Sequence, residues 1–182
     1  KYLNAGQICT SVDHAWLPEA GIAAFVAHAR QIMPARYPRL DTPDYTSIID
    51  EAAFERLLQA LDKARERGAQ VISLLPGPAF DRATRKIAPH IVLDAPEDSL
   101  LLTREIFGPI LPLRGYADLE TVIASINGGP RPLAIYPFSN DARTVQTLID
   151  RVMSGGVSVN DALFHVGQHD LPFGGVGESG MG

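Results

Sequence analysis

The chain carries one cysteine, Cys9, in the stretch Asn4-Ala5-Gly6-Gln7-Ile8-Cys9-Thr10. A thiolate is the strongest common side-chain nucleophile near neutral pH. Gly6 permits a tight backbone turn, so main-chain N–H groups around Cys9 could face a developing oxyanion. Free cysteine is also among the most buried residue types. On spacing alone, catalysis and a structural role stay equally open.

A second stretch with chemical content is Thr103-Arg104-Glu105-Ile106-Phe107-Gly108-Pro109. In extended chain, residues two apart point to the same side, which would align the Glu105 carboxylate with the Phe107 ring. A carboxylate can accept both hydroxyls of a ribose diol, and an aromatic face supports a planar ring. The plainer alternative is a surface glutamate beside a core phenylalanine. The third stretch is Leu171-Pro172-Phe173-Gly174-Gly175-Val176-Gly177-Glu178-Ser179-Gly180. Its glycines match G-x-G-x-x-G, but that dinucleotide fingerprint follows a strand and opens a helix, and this stretch does neither. Nor is Ser179 a nucleophile elbow, because Met181 stands where G-x-S-x-G requires glycine. The glycines instead suit a loop lying close against another surface, with Phe173 as an anchor. His165 and His169 are four apart, but Gly167 between them opposes the helix that would align them on a metal, and no metal site is expected. Arg82, Arg85 and Lys86 read most simply as a solvated basic turn.

Positioning these residues requires a scaffold. Ser11–Leu17 reads as a strand and Glu19–Ile32 as a helix with Ile22, Phe25, Val26, Ala29 and Ile32 inward, ended by Pro34. Asp50 caps a second helix whose stripe is Ala53, Phe54, Leu57, Leu58, Leu61 and Ala64, closed by Gly68. Val71–Leu75 and His90–Leu93 are strands joined without a helix, which predicts an antiparallel pair. A strand over Pro109–Leu113, a helix capped by Asp118, a strand over Leu133–Phe138, a helix over Asp141–Met153 and a strand over Gly156–Val159 complete the series. Alternating helices and short apolar strands predict a three-layer α/β/α domain around a mostly parallel sheet. Residues 161–182 read as a glycine-rich loop.

Composition narrows the function classes. At 182 residues with 46% hydrophobic and 20% charged content, the chain fits one large globular domain. A net charge of −5 provides no electrostatic footprint for nucleic acid or anionic lipid. No apolar run is long enough for a membrane span. A lone thiol forms no internal disulfide and fits a reducing compartment, with the cytoplasm as the expectation.

Taken together, the three stretches resemble the aldehyde dehydrogenase superfamily. Asn4-x-Gly6-Gln7-x-Cys9 is similar to its nucleophile motif, and Glu105-Ile106-Phe107-Gly108-Pro109 to its cofactor-contacting motif. Pro172-Phe173-Gly174-Gly175-x-Gly177-x-Ser179-Gly180 is similar to its carboxyl-terminal loop. The likeness runs from Lys1 to Gly182. Ser154-Gly155-Gly156-Val157-x-x-Asn160-Asp161 resembles the class 3 branch, which includes fatty-aldehyde and coniferyl aldehyde dehydrogenases, and the coniferyl group most of all. The resemblance implies that Cys9 attacks the aldehyde carbon, that Glu105 and Phe107 contact the nicotinamide end of NAD or NADP, and that Phe173 lines the aldehyde pocket. It implies too that residues 1–182 form the catalytic domain of a homodimeric enzyme. The family's cofactor-binding domain, general-base glutamate and oxyanion asparagine lie upstream of the cysteine motif, and its oligomerisation strand lies downstream of Gly182. The chain by itself is therefore expected not to turn over. A cysteine-dependent esterase or hydrolase and a non-catalytic scaffold are the competing readings.

Overall fold

A computed structural model describes all residues from Lys1 to Gly182, and its internal contacts divide the chain into two units, Lys1–Gly115 and Tyr116–Gly182.

The first unit opens with a 3-10 turn at Leu3–Gly6, followed by β1 (Ala15–Pro18), α1 (Ile22–Arg36) and α2 (Glu51–Glu66). It continues through β2 (Gln70–Ser73), the two-residue strands β3 (Phe80–Asp81) and β4 (Lys86–Ile87), β5 (His90–Leu93), the single turn α3 (Leu100–Thr103) and β6 (Ile110–Tyr116). The sheet order is β1-β6-β5-β2. β2 runs antiparallel to β5 with Val71 opposite Val92, as the short connection predicts. β5 runs parallel to β6 with Ile91 opposite Leu111. α2 forms where expected, because the Asp50 carboxylate accepts the Ala53 N–H at 2.7 Å and every fourth or third residue is apolar. Phe54, Leu57, Leu58, Ala60, Leu61 and Ala64 are all buried, and they pack in one cluster with Ile87, Ile91, Val92, Ile106 and Ile110. Gly68 leaves the helix at φ +93°, as its position suggests.

Helix α1 departs from expectation in two ways. It continues through Pro34 to Arg36, since a proline near the last turn forfeits only one hydrogen bond. Its apolar stripe is covered only in part: Ile22, Val26 and Ala29 are partly buried against the core, Phe25 and Ile32 are exposed, and Met33 is the one buried residue.

The second unit contains α4 (Leu119–Gly128), β7 (Ala134–Ile135), α5 (Ala142–Arg151) and β8 (Gly156–Val157). Asp118 and Asp141 cap the two helices through their carboxylates. β7 and β8 pair in parallel on either side of α5 in the chain, the strand–helix–strand unit that an α/β protein repeats. Beyond Val157 the chain has only 3-10 turns, at Phe164–Gly167 and Gly177–Ser179. It is nonetheless knitted: the Gly182 N–H donates to the Gly175 carbonyl at 2.9 Å, and the Ser179 hydroxyl and the Val176 backbone bond reciprocally. The molecule is thus of the α/β class expected. No helix is long and apolar enough to cross a membrane.

Candidate active site

Cys9 is exposed, on a loop whose shape comes from an unusual backbone. Asn4, Ala5 and Gly6 take φ values of 51°, 51° and 74°. Three successive left-handed residues are costly for any but glycine, and such strain concentrates at functional sites. The strain is held by side chains. Asn4 Nδ2 donates to the Gln7 carbonyl at 3.2 Å, and Gln7 Nε2 donates to the Asn4 carbonyl at 3.2 Å and the Ser47 carbonyl at 3.0 Å. Gln7 Oε1 accepts the Ile49 N–H at 2.9 Å. The Gln7 amide therefore acts as an inserted peptide group, clamping the cysteine loop to residues 47–49. The Cys9 N–H itself makes no hydrogen bond, leaving it available to an oxyanion.

The Glu105–Pro109 stretch lies directly against this loop. A Cβ on Gly6 would overlap the Gly108 carbonyl, and one on Gly108 would stand 2.6 Å from both terminal carbons of Leu57. Glycine at 6 and 108 is what lets the two backbones meet above α2. Ile106 is pinned at three points. Its N–H donates to Asp13 Oδ1 at 2.9 Å, its carbonyl accepts Arg56 Nη2 at 2.8 Å, and its side chain is 1% exposed. Fixing the middle residue turns its neighbours outward: Glu105 is exposed and Phe107 half-buried. The chain is not extended through both, however, because Phe107 sits at φ +47°. The two side chains are sent out by a buried isoleucine and a left-handed turn, not by simple alternation.

Glu105 makes no ion pair or hydrogen bond, so its oxygens are available to hydroxyl donors, as a ribose-binding carboxylate requires. Burial pulls the Lys1 ammonium down to about 8, against the opposing pull of Asp13 and Glu105. Burial also lowers Arg56, reinforced by Arg104 and opposed by Glu105 and Asp13. These residues give the site an unpaired carboxylate, an exposed sulfur and a fixed loop between them, which suits thiol addition to a carbonyl beside a hydroxyl-rich cofactor.

Gln7, Asp13 and Arg56 were missed as positioning residues in the sequence. Only the Asn4…Gln7 spacing, which permits the reciprocal side-chain bonds, could have signalled one of them. The basic turn is also more than solvated: Arg82 pairs with Glu55 and lies over the Phe54 and Phe80 rings, while Lys86 donates to the Thr42 carbonyl. Phe173 belongs to the second unit, where it is 50% exposed, its ring centroid 6.1 Å from that of His165. No three His, Cys, Asp or Glu side chains gather in a way that could hold a metal ion.

The exposed thiol thus lies on a strained loop packed against the loop that carries an unpaired carboxylate, on an α/β scaffold. Residues 1–182 match the model of the aldehyde dehydrogenase family, and the chain belongs to that family. It is 45% identical over 185 residues to a coniferyl aldehyde dehydrogenase of Pseudomonas sp. strain HR199, covering 100% of this chain and 38% of that protein. The substrate-bound state of Staphylococcus aureus AldH superposes with a TM-score of 0.92 at 34% identity, over 100% of this chain and 39% of that one. A glyceraldehyde-3-phosphate dehydrogenase from Methanocaldococcus jannaschii, complexed with NADP, superposes with a TM-score of 0.83 at 26% identity, over 100% of this chain and 39% of that one. The chain therefore spans well under half the length of these relatives.

Proposed function

We propose that the chain is the cysteine-bearing catalytic domain of an enzyme that oxidises an aldehyde, coniferyl aldehyde or a related one, to its carboxylic acid. The observation that carries this reading is the placement of the exposed Cys9 loop against Ile106–Gly108 through Gly6 and Gly108. Cys9 Sγ adds as thiolate to the aldehyde carbon, and the carbonyl π electrons move to oxygen, giving a thiohemiacetal alkoxide. The free Cys9 N–H donates to that oxygen. Loss of the carbon-bound hydride leaves a thioester on Cys9, and addition of water releases the acid and regenerates the thiol. Bound NAD or NADP supplies the hydride acceptor. Glu105 would accept hydroxyls of its ribose and Phe107 would pack beside its nicotinamide, while Phe173 lines the aldehyde pocket. The rigid hold on Ile106 keeps Glu105 and Phe107 from drifting, which is the positioning contribution such a transfer needs.

The relatives of this chain are more than twice its length, and a homodimer in the cytoplasm that includes a cofactor-binding domain is part of the same reading. Residues 1–182 alone are accordingly expected to give no steady aldehyde-dependent NADH or NADPH formation. In the full-length protein, aldehyde should drive that formation, Cys9→Ser should abolish it, and mass spectrometry of quenched turnover should find an acyl group on Cys9. Aldehyde oxidation that survives Cys9→Ser would overturn the mechanism.

A further inference from the structure

The second unit holds a ring cluster that the cysteine and glutamate motifs do not use. His165, in the 3-10 turn Phe164–Gly167, meets Ser158 Oγ through Nδ1 at 3.2 Å. Its ring centroid is 5.9 Å from that of Tyr136, at a tilt of 54°, and 6.1 Å from that of Phe173, at a tilt of 41°. Its other nitrogen, Nε2, is buried and makes no hydrogen bond. A buried, unpaired nitrogen is a cost that a purely apolar ring would avoid. What the imidazole offers in exchange is orientation, because the Ser158 contact fixes its rotation.

The glycine pair at 155 and 156 provides the rest. A Cβ on Gly156 would stand 2.9 Å from both Cδ2 and Nε2 of His165, so the ring sits flush on the backbone there. A Cβ on Gly155 would overlap the carbonyl of Gly174, the residue that follows Phe173. One dipeptide therefore seats the imidazole and pins the backbone of the loop whose ring it contacts.

We propose that His165 is a positioning residue that holds the Phe173 ring in a single orientation and so sets the selectivity of the aldehyde pocket for ring-bearing over short aliphatic substrates. The inference rests on the reading of Phe173 as a pocket wall. A fixed aromatic face rewards a flat partner that packs on it, whereas a mobile phenyl must be ordered anew at each binding event. A short alkyl chain needs no such face.

The test measures KM and kcat for benzaldehyde and propanal in the full-length protein and four variants: His165→Ala, His165→Phe, Gly156→Ala and Phe173→Ala. His165→Ala and Gly156→Ala should raise KM for benzaldehyde about tenfold, leaving kcat and the propanal KM within about twofold. His165→Phe should share most of the loss, because it keeps a ring there but gives up the Ser158 contact that fixes its rotation. Equal losses on both substrates, or none, would overturn the inference. If Phe173→Ala shifts the ratio between the substrates and the His165 and Gly156 variants do not, only the positioning role fails. If Phe173→Ala leaves the ratio unchanged, the pocket-wall reading falls and this one with it. Should His165→Ala not fold, Gly156→Ala and His165→Phe decide the matter.

Discussion

The two units of the chain hold themselves together by different means. In Lys1–Gly115 a continuous apolar cluster joins α2 to the sheet, with Phe54, Leu57, Ile87, Ile91, Val92 and Ile110 wholly inaccessible. In Tyr116–Gly182 only Val122, Ile123 and Val152 are buried among the large apolar side chains. There the order comes from carboxylate caps, the Arg151–Glu120 pair and backbone-to-backbone contact at glycines. The first arrangement draws on burial, worth about 25 cal/mol per Å². The second depends on local geometry, each part of which contributes little. The strained Cys9 loop sits on the well-packed unit. Backbone strain persists only where surrounding contacts over-determine it.

The sharpest way to break this contrast is to empty the core of the first unit. Phe54→Ala should cost about 3–5 kcal/mol in chemical denaturation, and a cost near that of a surface substitution would mean the cluster is not the main support. A middle-sized effect should come from pH. Burial pushes the His90 imidazole down to about 4, against the opposing effect of its hydrogen bond to the Ala88 carbonyl. The folded pKa lies below the unfolded one, so the unfolded chain binds the proton first. Stability from this group is complete above about pH 6.5 and is lost as pH falls toward 4. Between pH 7 and 4.5 the loss should be about 2 kcal/mol, on the order that this displacement implies. A His90→Asn protein should show a correspondingly shallower acid slope, and an unchanged slope would refute the assignment. The smallest effect belongs to the second unit. Asp141 accepts the Arg143 and Thr144 N–H groups and the Thr144 hydroxyl, and Asp141→Ala should cost about 1 kcal/mol. Asp50→Ala on α2 should cost a similar amount, since a cap is local. A much larger cost at Asp141 alone would show that the second unit depends on its caps still more heavily than its sparse core suggests.

What could be read from the sequence follows the same divide. The caps at Asp50 and Asp118 were legible because each is a single polar residue opening an apolar period, whereas Asp141 marked only where its helix begins. The antiparallel β2–β5 pair was legible because its connection holds no helix. The β3–β4 hairpin was not, since Phe80–Asp81 and Lys86–Ile87 are too short to show alternation. Cys9, Glu105 and Phe107 could be picked out by type, but not what holds their two loops in place. That lies in the close approach of Gly6 to Gly108 and in Asp13 and Arg56 binding both backbone groups of Ile106. Such long-range bonds to main chain leave no periodic trace. Nor does the sequence show that α1 would leave Phe25 and Ile32 uncovered, because a stripe records only that an apolar face exists.

The contact of Gly6 on Gly108, and of Gly108 on Leu57 beneath it, makes a stack three residues deep from the reactive loop to the middle of α2. A Cβ on Gly108 meets only the end of the Leu57 side chain, so those two positions can trade volume, whereas a Cβ on Gly6 meets backbone at a left-handed φ and nothing at 57 relieves it. A directed-evolution library that varies Gly6 should recover almost nothing. One that varies 57 and 108 jointly is where functional variants should be sought.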